Sequence, residues 1–229
     1  MRKVLIAILV VALFSSFLVF ADESNFLNLF DSVQFSTGFD MFMAKGKFNN
    51  RTDNPVDNNK FGFGVGLSTT FDLSAIPYFP SDDWRIYIGY DMFFLGNPTL
   101  HGTKYTSNNY SSSLGMKFHM AGLYHTMLGT PLDFYFGGGL AWDRISAKLS
   151  GGANNTLSAS SWGISLYAET SYEFYRHFAT FVTVIPDITF VTKSQTKIKV
   201  NNGPVNTTKM TSFGIGFDLS IKTGIKYVF

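Results

Sequence analysis

The chain has 229 residues, of which 45% are hydrophobic, 17% aromatic and 15% charged, with a formal net charge of +2. A soluble domain usually carries about 25% charged residues, yet the mean hydropathy of +0.10 is too low for a bundle of transmembrane helices. Disorder is excluded by the apolar content, and the absence of cysteine excludes a disulfide scaffold, a thiolate metal site and a cysteine nucleophile.

Met1-Arg2-Lys3 is a basic start, residues 4–21 carry no charge, and Asp22-Glu23 open a polar stretch. Val19 and Ala21 suit the −3 and −1 positions of a cleavage site, so residues 1–21 read as a secretory signal peptide. An uncleaved anchor is the competing reading, and Ser15-Ser16 weaken it by interrupting the apolar run. Loss of Arg2 and Lys3 leaves bases and acids equal in number, so the charge balance implies no acidic partner.

From there on the chain alternates with period 2. Over 61–73, the odd positions are Phe, Phe, Val, Leu, Thr, Phe, Leu and the even ones Gly, Gly, Gly, Ser, Thr, Asp. Side chains on a strand point alternately to opposite faces, so this segment has one greasy face and one small or polar face. Segments of this kind are expected at 31–44, 61–73, 84–95, 110–119, 133–145, 162–174, 178–192 and 210–229. The seventh is the weakest, since Pro186 interrupts it and Phe181 and Ile185 break the alternation. Each is long enough for a tilted membrane strand of about 9–11 residues.

The links alternate as well. Long polar stretches are expected at 45–60, 96–109, 146–161 and 193–209, and shorter links at 74–83, 127–132 and 175–177. Long loops on one side and short turns on the other are the asymmetry of an outer-membrane barrel. With Asn201-Asn202-Gly203-Pro204 as its turn, the last pair of strands is expected to protrude as a hairpin. Residues 22–229 thus read as one unit: an all-β, eight-stranded antiparallel up-and-down transmembrane barrel.

Which face meets lipid follows from charge. The apolar sets include Phe35, Phe39, Ile86, Ile88, Phe118, Phe136, Leu140, Ile164, Leu166, Val182 and Ile221, and this face is expected to carry no charged residue within the spans. The opposite face holds Asp40, Asp72, Arg85, Asp91, Lys117, His119, Asp143, Glu169, Glu173, Asp187, Asp218, Lys222 and Lys226. A charge on a lipid-facing barrel position costs up to about 2–4 kcal/mol, which selects for such a division. A periplasmic β-sandwich would instead keep charge out of its core. The aromatic residues Trp84, Trp142, Trp162, Tyr90, Tyr110, Tyr172 and Tyr227 fall mostly near segment ends, where interfacial girdles lie.

The C-terminal octet ends in an aromatic, with Lys222, Gly224, Tyr227 and Phe229 in the pattern of an outer-membrane assembly signal. In this and in its overall pattern the chain resembles the small eight-stranded bacterial outer-membrane barrels of the OmpX, OmpA-domain and OmpW kind. The resemblance implies export through the periplasm, folding by the outer-membrane assembly machinery and periplasmic short turns.

An eight-stranded lumen holds side chains or one small ligand, so a wide porin-like channel is not expected. The inward charges either fill and lock the barrel or line a narrow polar path. The OmpW-like resemblance implies a route for small apolar molecules, and Phe42, Phe93, Phe181, Ile185 and Val191 are candidates for an apolar section. A lipid A-modifying enzyme is a further class, but His119 is followed by Met120-Ala121 rather than by a His-x-Ser pair. His125 and His177 lie near short turns, leaving only His101, beside Thr103 and Ser107, at the outer rim. No catalytic residue, metal ligand or cofactor is assigned.

Basic residues in the outer loops, Lys45, Lys47, Arg51, Lys193, Lys197, Lys199 and Lys209, suit lipid phosphates or acidic glycans, or are simply solvated. The expected partners are outer-membrane lipid, the barrel assembly machinery and an external ligand or host surface. Nucleic acid is not expected, because there is no basic strand face. The reading is of a monomeric, non-enzymatic outer-membrane barrel serving membrane integrity or surface interaction.

Overall fold

Period-2 alternation becomes strand in every one of the eight segments. The structure, a computed structural model, describes residues 29–43, 45–47, 55–57, 60–76, 81–95, 99–100, 103–104, 110–127, 131–149, 156–199 and 205–229. The expected signal peptide, Arg51, His101 and Ser107 lie outside the described residues. The strands are β1 (Phe30–Met43), β2 (Lys60–Asp72), β3 (Trp84–Leu95), β4 (Tyr110–Met127), β5 (Leu132–Leu149), β6 (Thr156–Tyr175), β7 (Phe178–Lys199) and β8 (Val205–Val228). Each pairs antiparallel with its chain neighbour, and β1 pairs with both β2 and β8, closing the barrel.

The apolar face is the outer one. Phe35, Phe39, Leu67, Phe94, Leu140 and Leu166 are each more than half exposed, a placement that costs free energy in water and none in hydrocarbon. Polar residues line the lumen and are buried there, Asp40, Asp218 and Lys226 completely. Arg144 departs from the expected charge-free outer face: it lies exposed on the outer wall, one strand across from Ser160 and two residues past Trp142.

Several expected loops are strand. β6 begins at Thr156, β7 continues to Lys199 and β8 begins at Val205, so Lys193, Lys197, Lys199 and Lys209 stand on paired strands rather than in a loop. The β7–β8 ladder runs from Phe178↔Tyr227 to Lys199↔Val205. At about 3.3 Å per residue, the 22-residue β7 is roughly twice as long as a membrane crossing requires. Of the expected long links at 146–161 and 193–209, residues 146–149, 156–161, 193–199 and 205–209 are therefore strand. Lys45 and Lys47 belong to a short strand, Lys45–Lys47, paired with Pro55–Asp57.

At the other end the β6–β7 connection is just Arg176-His177, and Arg176 has a φ of 29°. A positive φ is what a two-residue hairpin with primed-turn twist needs. Pro186 does not interrupt β7. Its ladder to β8 continues through Pro186↔Leu219, while the pairing with β6 skips from Ser165↔Asp187 to Ala168↔Val184. A residue without an N–H removes a ladder bond on one side and leaves the other strand pair in place. Phe181 and Ile185 keep to the lumen parity and are simply apolar residues buried there.

Register shifts interrupt the ladder at several places, and two of them exchange the faces of residues next to the lumen layers. The β1–β2 register jumps from Phe30↔Phe71 to Ser32↔Thr70, so Asp31 is an extra residue, and it reaches Thr70 and Arg85 from a position whose parity would point outward. In β7 the register jumps from Thr189↔Gly163 to Val191↔Trp162, making Phe190 the extra residue. Val191, expected in the lumen, is thereby paired with Trp162, which is exposed on the outer wall.

Candidate functional site: a cross-linked lumen

Inward side chains meet across the lumen in three layers, taken here from the short-turn end outward. In the first layer the Arg85 guanidinium donates from Nε to Asp31 (2.9 Å) and from one terminal nitrogen to Asp72 (2.9 Å) and to the Asp82 carbonyl (2.6 Å). Asp72 is only half-buried, as befits the mouth of the barrel. Glu173, expected in the lumen, is exposed at this end instead: it stands opposite Ala179, beside the register shift between Glu173 and Tyr175 that precedes the turn.

The second layer is built on Glu169. Its carboxylate accepts from Lys226 Nζ (3.1 Å), Gln34 Nε2 (3.1 and 3.2 Å), Thr183 Oγ1 (2.9 Å) and the Tyr167 hydroxyl. Lys226 also lies 3.9 Å above the Tyr135 ring, a cation–π contact. Gln34 in turn accepts from Ser68 (3.0 Å). Around these packs an apolar cluster of Tyr87, Ala121, Leu123, Tyr135, Tyr167 and Ile185, with the Tyr87 and Tyr167 rings 4.6 Å apart. Glycine makes the room. A Cβ on Gly89 would fall on the Tyr87 ring and hydroxyl, and one on Gly66 would fall on the Asp91 carboxylate.

The third layer holds two lysines. Lys117 Nζ donates to Asp40 (2.9 Å), Asp187 (3.1 Å) and Ser220 (3.3 Å) and lies 4.0 Å from Asp218. Lys222 pairs with Asp91. His119 Nε2 sits 3.1 and 3.2 Å from the two Asp187 oxygens, and its Nδ1 is 3.7 Å from Asp91. Asp143 accepts from the Ser161 amide (2.7 Å). Both ring nitrogens of His119 face carboxylates, and neither is directed at a hydroxyl.

Several of these bonds cross the barrel rather than run along its wall. β4 and β8 lie four strands apart in either direction around the barrel, so the Lys117–Ser220 bond joins diametrically opposite walls. Lys222–Asp91, Gln34–Glu169 and Lys117–Asp40 each bridge three strand steps. An eight-stranded lumen is only as wide as two facing side chains. Lys117 and Asp91 stand opposite each other in the β3–β4 register, yet each takes its partner from the far side.

Sequence reasoning assembled most of these residues without their pairing. It did not single out Gln34, Tyr87, Tyr135 and Tyr167, and it passed over Asp31, which only the bulge turns inward. For the three tyrosines the inward parity was legible and the hydroxyl role was not. Among the apolar candidates, Phe93, Phe181 and Ile185 are buried in the lumen, and Phe42 lies outside the described side chains. Phe93 stands beyond the Lys117 layer, next to Ile145, whereas Ile185 and Phe181 stand below it. The charged layer separates them.

The residues expected to form an assembly signal divide between two environments. Lys222 is in the lumen; Tyr227 and Phe229 form an aromatic seam where β8 meets β1 and β7. Tyr227 packs edge-on against Phe229 (5.1 Å) and Phe178 (5.3 Å), Phe229 lies 5.9 Å from Phe30, and the Phe229 amide donates to the Asp31 carbonyl (3.0 Å). Gly224 is half-buried, opposite Ser36 in β1.

No protein-family model matches this sequence, and no curated protein matches it. Solved structures do match in fold. Neisserial surface protein A superposes with a TM-score of 0.53 at 14% identity, covering 86% of this chain and 96% of that one. A major outer membrane protein from Thermus thermophilus gives 0.52 at 12% identity, covering 86% and 99%. The outer membrane protein OprG from Pseudomonas aeruginosa gives 0.50 at 14% identity, covering 88% and 98%. The chain has the closed, eight-stranded, up-and-down barrel fold of small outer-membrane proteins.

Proposed function

We propose that this is a non-enzymatic outer-membrane barrel whose lumen is closed by its own side chains, and which serves the integrity of the membrane or contacts at its surface. One observation carries the reading: buried side chains bond across the lumen, over three strand steps, at successive heights, Gln34–Glu169 in one layer and Lys117–Asp40 and Lys222–Asp91 in the next. A transport path would have to break several of them at once. The outward apolar wall, the short turns at one end and the aromatic seam support residence in the outer membrane. Residues 22–229 would form the mature chain, delivered through the periplasm and folded as a monomer by the barrel assembly machinery.

A route for small apolar molecules is disfavoured, since the charged layer interrupts the apolar residues of the lumen. Catalysis is disfavoured because His119, the one histidine of the lumen layers, is held between two carboxylates.

The test is planar-bilayer conductance of the refolded chain. The intact protein is expected to show no conductance steps, while removing the pairs of both layers together, Lys117→Ala and Asp40→Ala with Lys226→Ala and Glu169→Ala, is expected to open small steps. Steady conductance by the unmodified chain would refute the closed-lumen reading.

A further inference from the structure

The bulge at Phe190 decides where the lysines of β7 stand. Up to Thr189 the odd positions of β7 are lumen positions: Thr183, Ile185, Asp187 and Thr189 are all buried. Beyond the bulge the odd positions pair instead with outward ones, because Val191 is opposite Trp162 and Lys193 is opposite Ser160. Strict alternation would have sent Lys193, Lys197 and Lys199 to the lumen side; the register sends them to the outer face. No basic strand face was expected from the sequence, and this one exists only after the bulge.

Reading the registers across four strands gives a ladder. One rung is Trp142–Trp162–Val191–Phe213. Two residues further out, on the same face, the next is Arg144–Ser160–Lys193–Thr211. Four residues beyond that comes Lys148–Thr156–Lys197–Thr207. Lys209 stands between the two basic rungs, opposite Gln195. Arg144, Lys209 and Thr207 are exposed. Residues 144–168 and 188–217 contain six bases (Arg144, Lys148, Lys193, Lys197, Lys199 and Lys209) and not one Asp or Glu.

We propose that this outer face, immediately beyond the tryptophan rung, binds the phosphate groups of outer-leaflet glycolipid, with Arg144 and Lys193 as the first pair and Lys148 and Lys197 as the second. The proposal rests on the outer-membrane reading given above. Tryptophans mark the headgroup level, and two residues of strand add about 7 Å, which places the first pair within the headgroup layer. Arg144 and Lys193 occupy register positions two strands apart, about 10 Å, flanking Ser160 on the same face. A guanidinium forks two donors onto phosphate oxygens and an ammonium adds a point charge. A soluble acidic protein would have no reason to select bases at this depth, beside the membrane.

The experiment uses the full mature chain refolded in neutral-lipid vesicles, with insertion read first as a heat-sensitive shift in gel mobility. Diphosphorylated lipid A is then titrated in, alongside its dephosphorylated form and inorganic phosphate. Binding of the diphosphorylated lipid is expected to weaken at least tenfold in the Arg144→Gln, Lys193→Gln double variant, and to be unchanged in Arg176→Gln, which removes a charge at the opposite end. The unfolding midpoint of the double variant should match the parent. Unchanged binding by an inserted double variant overturns this proposal alone. So does equal binding of the dephosphorylated lipid, or full displacement by millimolar inorganic phosphate. Failure of the parent to insert overturns the membrane reading, and this proposal with it.

Discussion

Replacing Lys117 with methionine tests whether the lumen is held by charge pairing or merely filled. The side chain keeps its length and loses the amine that touches Asp40 at 2.9 Å and Asp187 at 3.1 Å. At an effective dielectric of 20, each contact is worth about 5 kcal/mol of gross attraction. Desolvation of the charges offsets much of this, and removing one partner of a buried pair typically costs about 3–5 kcal/mol. The loss should lie at the upper end, because one amine serves two close carboxylates and a third at 4.0 Å. Unfolding in urea, followed by tryptophan fluorescence in lipid vesicles, measures it. Adding Asp40→Asn to Lys117→Met should recover about half of the loss, since it removes one stranded charge. A single variant within about 1 kcal/mol of the parent, or a double variant worse than the single, would refute the argument that these pairs lock the barrel.

Three further outcomes are expected. Ile221→Arg puts a charge on the outer wall midway between the Phe213 rung and the Phe229 seam. It should cost about 2–4 kcal/mol in the same urea assay, whereas Lys209→Glu, beyond the girdle, should change stability little. Gly66→Leu drives a side chain into Asp91 and Ser36 and should destabilise the barrel by about 1–3 kcal/mol; a neutral effect would show that the lumen has slack at that layer. Deleting Phe229 removes both its ring contacts and its amide bond to Asp31, and should slow refolding into vesicles, followed as the gel-mobility shift, more than it lowers the final folded fraction.

The barrel was legible because lipid and lumen each impose a rule on every second residue. Where both rules hold, as in Gly62 to Asp72 or Ile215 to Phe229, parity alone places the side chains. The segments 156–161, 193–199 and 205–209 looked like loops because Ser, Thr, Asn and Lys occupy both faces there. Beyond the membrane neither hydrocarbon nor a packed core enforces alternation, so the strands continue without the pattern that reveals them. The bulges were invisible for a related reason: one inserted residue, Asp31 or Phe190, leaves no compositional mark, yet it exchanges the two faces of the strand on one side of it. The cross-lumen partners could not be read at all. They depend on which walls face each other, and Asp91 turns to Lys222 although Lys117 is its neighbour in register.

The lumen bonds also join residues remote in sequence: Ser220 and Asp40 are 180 residues apart, Gln34 and Glu169 135, and Lys222 and Asp91 131. Those that end on β8 cannot form while it is undocked, so until then the same acids and bases face water and keep that side of the chain hydrated. The charges that lock the finished barrel thus act beforehand as solubilising groups. Closure of the β1–β8 seam is the event that changes their role. A chain lacking the last strand would leave Asp91 without Lys222 and Glu169 without Lys226.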